Sequence, residues 1–272
     1  MVSSMSLLQV LVVFGTAALD APHESQQGGP VPGFPAISSP SARTDKPATS
    51  AKEALTAASR LRREANGKDG PEKLEILMRA AQAYESAAQT FSTDPVGSGE
   101  AWFRAGEIYR TVRRMEEATR CFETAAKNPA SGEFGARATN EIGHIHRKLK
   151  SYDQAIESYE NVLKTFARER QECARALTWQ GKVHLLQKNV EIGHQILLSV
   201  GEQYPEFPED DIRNVDTVAL DWIEAGKVSE ARALVEKCIE RHSVPGPGKI
   251  EVAADVQKAL DRMRSPEKLG IE

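Results

Sequence analysis

No GxSxG, HExxH, P-loop or GxGxxG fingerprint occurs in the 272 residues, so the usual signatures of hydrolases, zinc proteases and nucleotide-binding enzymes are missing. Cysteine is scarce: Cys121, Cys173 and Cys238 lie far apart, without a CxxC pair. An odd count at unrelated positions argues against a disulfide framework and against a zinc site, leaving free buried thiols as the expectation. Such thiols fit a reducing compartment better than an oxidising one. Charge of one sign is lacking too. The net charge of −4 gives no overall attraction to nucleic acid or to an acidic membrane surface, so any electrostatic partner must be read from local patches. Aromatic residues make up only 6%, against 40% hydrophobic and 27% charged, which is a soluble composition with enough apolar material for a core.

The apolar run from Ser6 to Leu19 is too short to span a bilayer comfortably and ends in small residues. It suits a secretory signal over residues 1–21, although the first basic residue is Arg43 and none precedes the run. The expectation is export to a periplasmic or secreted location, with a cytoplasmic one as the alternative if the run is not a signal. Residues 22–50 are rich in Pro, Ser and Gly with few apolar anchors, and read as a disordered linker.

From residue 51 onward a pattern recurs. Small residues stand at Ala80, Ala118, Ala155, Gly193 and Ala231, in steps of 37 or 38. Four residues after each come Tyr84, Phe122, Tyr159, Leu197 and Val235, and three further on Ala87, Ala125, Val162, Val200 and Cys238. Twelve before each of the last four lie Gly106, Gly143, Gly181 and Ala219, followed three later by Tyr109, His146, His184 and Trp222. A Gly inside a helix costs about 1 kcal/mol relative to Ala, so three in register need a reason. Two antiparallel helices per unit supply one: the small residues mark where backbones come closest, and a ring or aliphatic group fills the adjacent gap. One such hairpin leaves an apolar face in water, so the hairpins must stack.

The unit containing Trp102, Gly106, Tyr109, Ala118, Phe122, Ala125 and Pro129 resembles the tetratricopeptide (TPR) repeat family. The resemblance covers residues 51 to 242 and implies an all-α solenoid of about five antiparallel helix pairs over residues 51–247. A C-terminal capping helix is read over residues 248–264, with a tail at 265–272. Two departures stand out. The period exceeds the family's 34 residues, so longer inter-repeat loops or longer second helices are expected, and the unit before Ala80 has lost the small-residue column and carries an extended turn, "NGKDGP". Long-period variants are similar to bacterial envelope TPR proteins.

The family geometry implies that the first helix of each pair lines a concave groove. Its facing positions would be Glu100, Phe103, Glu107, Arg110 and Thr111 in the second unit, then Arg137, Asn140, His144, Arg147 and Lys148 in the third. The fourth would give Arg175, Thr178, Lys182, Leu185 and Leu186, and the fifth Arg213, Asp216, Leu220, Ile223 and Glu224. The central set is basic, with His144 able to join at lower pH. It suits an acidic peptide, with Arg placed for bidentate carboxylate contact. Leu185, Leu186, Leu220 and Ile223 would add apolar pockets. The carboxylate clamp of TPR cochaperones is not expected, because Phe103, Glu107 and His144 stand where it would want Lys and Asn. His144 and His146 point to nearly opposite sides of one helix and cannot share an ion; His146 and His184 are expected to be packed and hydrogen-bonded. The functional expectation is therefore a non-enzymatic scaffold or adaptor that binds a protein or peptide. It has no catalytic residues, metal or cofactor, and no nucleic acid or stable membrane insertion once the signal is removed. A self-associating structural component of an envelope complex, a homo-oligomer, is the alternative, with a metal protein or enzyme behind it.

Overall fold

A computed structural model describes residues 48–242 and Asp261. The expected signal, most of the linker, the capping helix at 248–264 apart from Asp261, and the tail lie outside the described residues. Within them run ten α-helices: α1 (Ala51–Glu64), α2 (Gly70–Thr90), α3 (Pro95–Thr111), α4 (Met115–Ala126), α5 (Glu133–Lys148), α6 (Tyr152–Thr165), α7 (Arg170–Leu186), α8 (Val190–Gln203), α9 (Pro208–Glu224) and α10 (Val228–His242). None is long and apolar enough to cross a membrane. Consecutive helices pack as antiparallel pairs, and each odd-numbered helix also touches the next odd-numbered one. That makes α1, α3, α5, α7 and α9 the inner row of an all-α, TPR-like solenoid, with the even-numbered helices outside it.

The helix ends follow from local chemistry. Ser50 caps α1 by accepting from the Glu53 amide, and Asp94 caps α3 by accepting from the Gly97 amide, with Pro95 at the first helical position. Each first helix from α3 onward stops in the same way. Arg113, Lys150, Lys188 and Gly226 all have positive φ, and the next residue's amide bonds back to the carbonyl of Tyr109, His146, His184 or Trp222. This six-residue back-bond turns the chain into the second helix. The aromatic and histidine column thus also provides the carbonyl that closes each of the last four hairpins. At Gly226 a Cβ would meet nothing within 4 Å, so Gly226→Ala isolates the backbone cost of the left-handed conformation. The variant should lose about 1 kcal/mol in urea unfolding.

The glycine column does what its spacing suggests. A Cβ on Gly106 would lie 2.6 Å from the Phe122 ring, one on Gly143 2.5 Å from the Tyr159 ring, and one on Gly181 2.9 Å from Leu197. Phe122, Tyr159 and Leu197 are fully buried, each burial stabilising by about 1.5–3 kcal/mol. Gly143→Ala should therefore cost about 1–3 kcal/mol by overpacking, and a second change, Tyr159→Leu, should recover part of it in a double-mutant cycle.

Two details depart from expectation. Three of the four connections between pairs are only four residues, Phe91–Asp94, Phe166–Glu169 and Tyr204–Phe207, so the long period is not made up by loops there. The first helices α3, α5, α7 and α9, at 16 to 17 residues and longer than the second helices α4, α6, α8 and α10 at 12 to 15, supply it instead. The exception is the connection before α5, where Pro129–Ser131 form a 3-10 turn and buried Ser131 donates its hydroxyl to the Ala125 carbonyl. In the first pair the extended turn is there, five residues (Ala65–Asp69) against three in each later pair, but the "GP" that ends the quoted stretch opens the 21-residue helix α2 instead. Cys121, Cys173 and Cys238 are unpaired and buried, as their spacing implies.

Candidate functional site

The inner row places five of the expected groove residues around one small cavity of about 130 Å³, lined by Phe103, Arg137, Asn140, Glu141, His144, Glu172, Arg175 and Trp179. They come from α3, α5 and α7, because side chains about one helical turn apart on neighbouring inner helices face the same space. Phe103 is the floor rather than a contact surface. It is 2% exposed and packs on Phe122 and Phe134, with the Arg137 guanidinium 4.5 Å from its ring centre. Asn140 is also buried, donating through Nδ2 to the Glu172 carbonyl at 3.1 Å and its carboxylate at 3.0 Å, while its own Oδ1 has no partner.

The basic character of the wall is partly cancelled from within. Arg110 pairs with Glu141 at 2.6 Å, Arg175 with Glu172 at 2.5 Å, and Arg137 with Glu133 at 3.5 Å. Burial raises the Glu141 pKa against the opposing pull of Arg110. Glu141 and Glu172 escaped the sequence reading because their arginine partners were assigned to a ligand. The spacing of 31 residues between Arg110 and Glu141 becomes a contact only once α3 and α5 stack.

Trp179 lines the same cavity and gathers charge around it. Arg147 lies 4.6 Å and Lys182 4.9 Å from its ring centre, and His144 meets it edge-on at 4.9 Å. Among the described residues Arg147, Lys148 and Lys182 have no carboxylate in ion-pair range. Burial, reinforced by Arg213, lowers the Lys182 pKa. His144 corrects the expectation that it joins the cations on mild acidification. Burial first, then Arg147, Arg110 and Lys148, push its pKa down to about 4. The neutral ring shares a hydrogen bond between its Nδ1 and the Tyr159 hydroxyl, 2.7 Å away.

The apolar end of the expected groove divides. Leu185 and Leu186 line a larger cavity, about 940 Å³, with Val190, His194 and Leu198 of α8 and Trp222 of α9, at the edge where the α7–α8 and α9–α10 turns meet. Leu220 is exposed on α9 and is not among its lining residues, and Ile223 is packed into the α9–α10 core. In that cavity His194 has a fixed tautomer: Nδ1 accepts from the Trp222 indole, so Nε2 carries the proton and donates to Asp221 at 2.9 Å. His146 and His184 are packed but not as expected, since the Nδ1 of each is buried without a hydrogen-bond partner.

Spacing gave no hint of Asp211, Cys238 and His242, whose potential ligand atoms lie within 4.8 Å of one another. Arg241 at 2.6 Å and His242 at 2.8 Å both donate to the same Asp211 oxygen, and burial pushes the Cys238 thiol up to about 12. The arginine already matches the carboxylate's charge, and a protonated thiol is a poor ligand, so the cluster reads as an ionic clasp between α9 and α10.

A family model described as soluble NSF attachment protein, SNAP, matches residues 72–191. Among solved structures, BtubC (BKLC) from P. vanneervenii is 18% identical, with a TM-score of 0.51 over 75% of this chain and 97% of that one. MamA from Desulfovibrio magneticus RS-1 is 18% identical, with a TM-score of 0.49 over 72% and 97%. Kinesin light chain TPR-like repeats from P. anserina are 12% identical, with a TM-score of 0.47 over 71% and 94%. No curated protein matches the sequence.

Proposed function

We propose that this TPR-like repeat protein is a non-enzymatic interaction scaffold that takes an acidic peptide segment along its inner row of helices. The observation that carries the reading is the uneven charge pairing of the wall. Arg110, Arg137 and Arg175 each hold a carboxylate, whereas Arg147, Lys148 and Lys182 have none in ion-pair range among the described residues. Three neighbouring cations outside any salt bridge attract an anionic partner, and rigid stacked helices lower the entropic cost of receiving it. Export behind the apolar N-terminus and linker is part of the same proposal.

The test uses a degenerate peptide library of Asp, Glu, Gly and Ser, labelled for fluorescence anisotropy. The wild-type chain should bind it more tightly than a Gly/Ser library. Reversing Arg147, Lys148 and Lys182 to Glu together should weaken binding by about 30-fold while helical circular dichroism is kept. Retained affinity in the folded triple variant rejects the reading. A second reading, self-association, draws on exposed Leu149, Leu186, Val190 and Ile192. Light scattering over a concentration series, with and without residues 248–272, separates it from groove binding: a mass that stays monomeric throughout rejects it.

A further inference from the structure

We propose that Arg147 and Lys182, set on Trp179, form a subsite for a phosphorylated serine or threonine side chain within the acidic segment. The inference rests on the groove reading above and names the side chain that the groove prefers. Both cations are held against one indole, at 4.6 and 4.9 Å from its centre, so their positions are fixed by the ring rather than by a salt bridge. They come from different inner helices, α5 and α7, so the seam between the third and fourth pairs itself builds the pair of charges. The Nε of Arg147 is buried without a hydrogen-bond partner.

Charge matching selects the ligand. Lys182 feels Arg213 and Arg147 on one side and only Asp210 on the other, and its ammonium is partly withdrawn from water. One carboxylate neutralises one of the two stacked cations and leaves the second uncompensated. A phosphomonoester carries about −1.5 to −2 charges at neutral pH and three acceptor oxygens, enough for a guanidinium fork and an ammonium together. His144, neutral and edge-on to the same indole, adds no competing charge. Glu141 and Glu172 are held by Arg110 and Arg175, which keeps their charge from repelling the dianion outright.

Three degenerate Asp/Glu/Gly/Ser libraries with a fixed central phosphoserine, glutamate or serine separate the readings by fluorescence anisotropy on the full chain. The phosphoserine library should bind about tenfold more tightly than the serine library, and about threefold more tightly than the glutamate library. Arg147→Gln, Lys182→Met and Trp179→Leu should each bring the phosphoserine and glutamate libraries within about twofold of each other. Lys148→Gln, which leaves the stacked pair intact, should preserve the preference. Trp179→Leu keeps every charge, so a preference surviving in that variant, provided it folds, overturns the stacked geometry. Equal affinity of wild type for the phosphoserine and glutamate libraries overturns the subsite and leaves the acidic-groove reading standing. If no acidic library binds better than a Gly/Ser library, both fall.

Discussion

Replacing Asp211 with Ala should destabilise the chain by about 3 kcal/mol or more. Asp211 lies in the first turn of α9 and is 1% exposed, with its carboxylate accepting from Arg241 and His242 in the last turn of α10. The approach is close because Gly201 of α8 leaves room: a Cβ there would lie 2.1 Å from the carboxylate. Deleting the acid strands two donors of which one, His242, has a side chain only 13% exposed, while Arg241 at 30% keeps some water and moderates the loss. Asp211→Asn preserves the shape and loses the charge, at a cost of about 1.5–3 kcal/mol. Urea unfolding followed by circular dichroism measures both, and amide exchange along α10 localises the loss. An Ala variant within 0.5 kcal/mol of wild type, a margin typical of neutral surface changes, would show that the clasp is dispensable.

The second large effect is a loss of stability on acidification that traces to one histidine. The native His144 ring resists protonation down to pH about 4, whereas an imidazole in the unfolded chain titrates near its ordinary value of about 6.5. Between those two pH values the unfolded state binds a proton that the native state does not. Stability therefore rises with pH across the window, is fully present above about 6.5, and is lost as the solution approaches pH 4. The gap corresponds to about 3 kcal/mol, less whatever water reaches the partly buried ring. His144→Gln should flatten the pH dependence by about that amount. The variant starts weaker at pH 7, having lost the Tyr159 bond, and gains relative to wild type as pH falls. Parallel curves for the two proteins between pH 7 and 4 would remove His144 as the cause.

The hairpins were legible because their determinants are periodic. Gly106 and Phe122, or Gly143 and Tyr159, are sixteen residues apart in every unit, and the same close approach follows each time. Polar pairing is not periodic. Asn140 turning to Glu172, Arg110 to Glu141, and Asp211 to Arg241 each depend on which residues the stack brings opposite, and no two repeats carry the same set. Hence the wall could be outlined from register while the charges left over, and the neutrality of His144, required the packed structure. The same limit explains Leu220 and Ile223: helical phase put both toward an apolar pocket, and the neighbouring α10 took only the second.

The apolar interior is divided into separate patches. One joins the first two pairs and reaches α5, another links α6 with both α5 and α7, a small one lies between α7 and α8, and the last belongs to α9 and α10. A row of short cores joined by seams behaves like a stiff spring rather than a block. The seam between the third and fourth pairs is bridged by the patch of α5, α6 and α7, so Arg147 and Lys182 stand across a packed joint, and moving one relative to the other means shearing that patch.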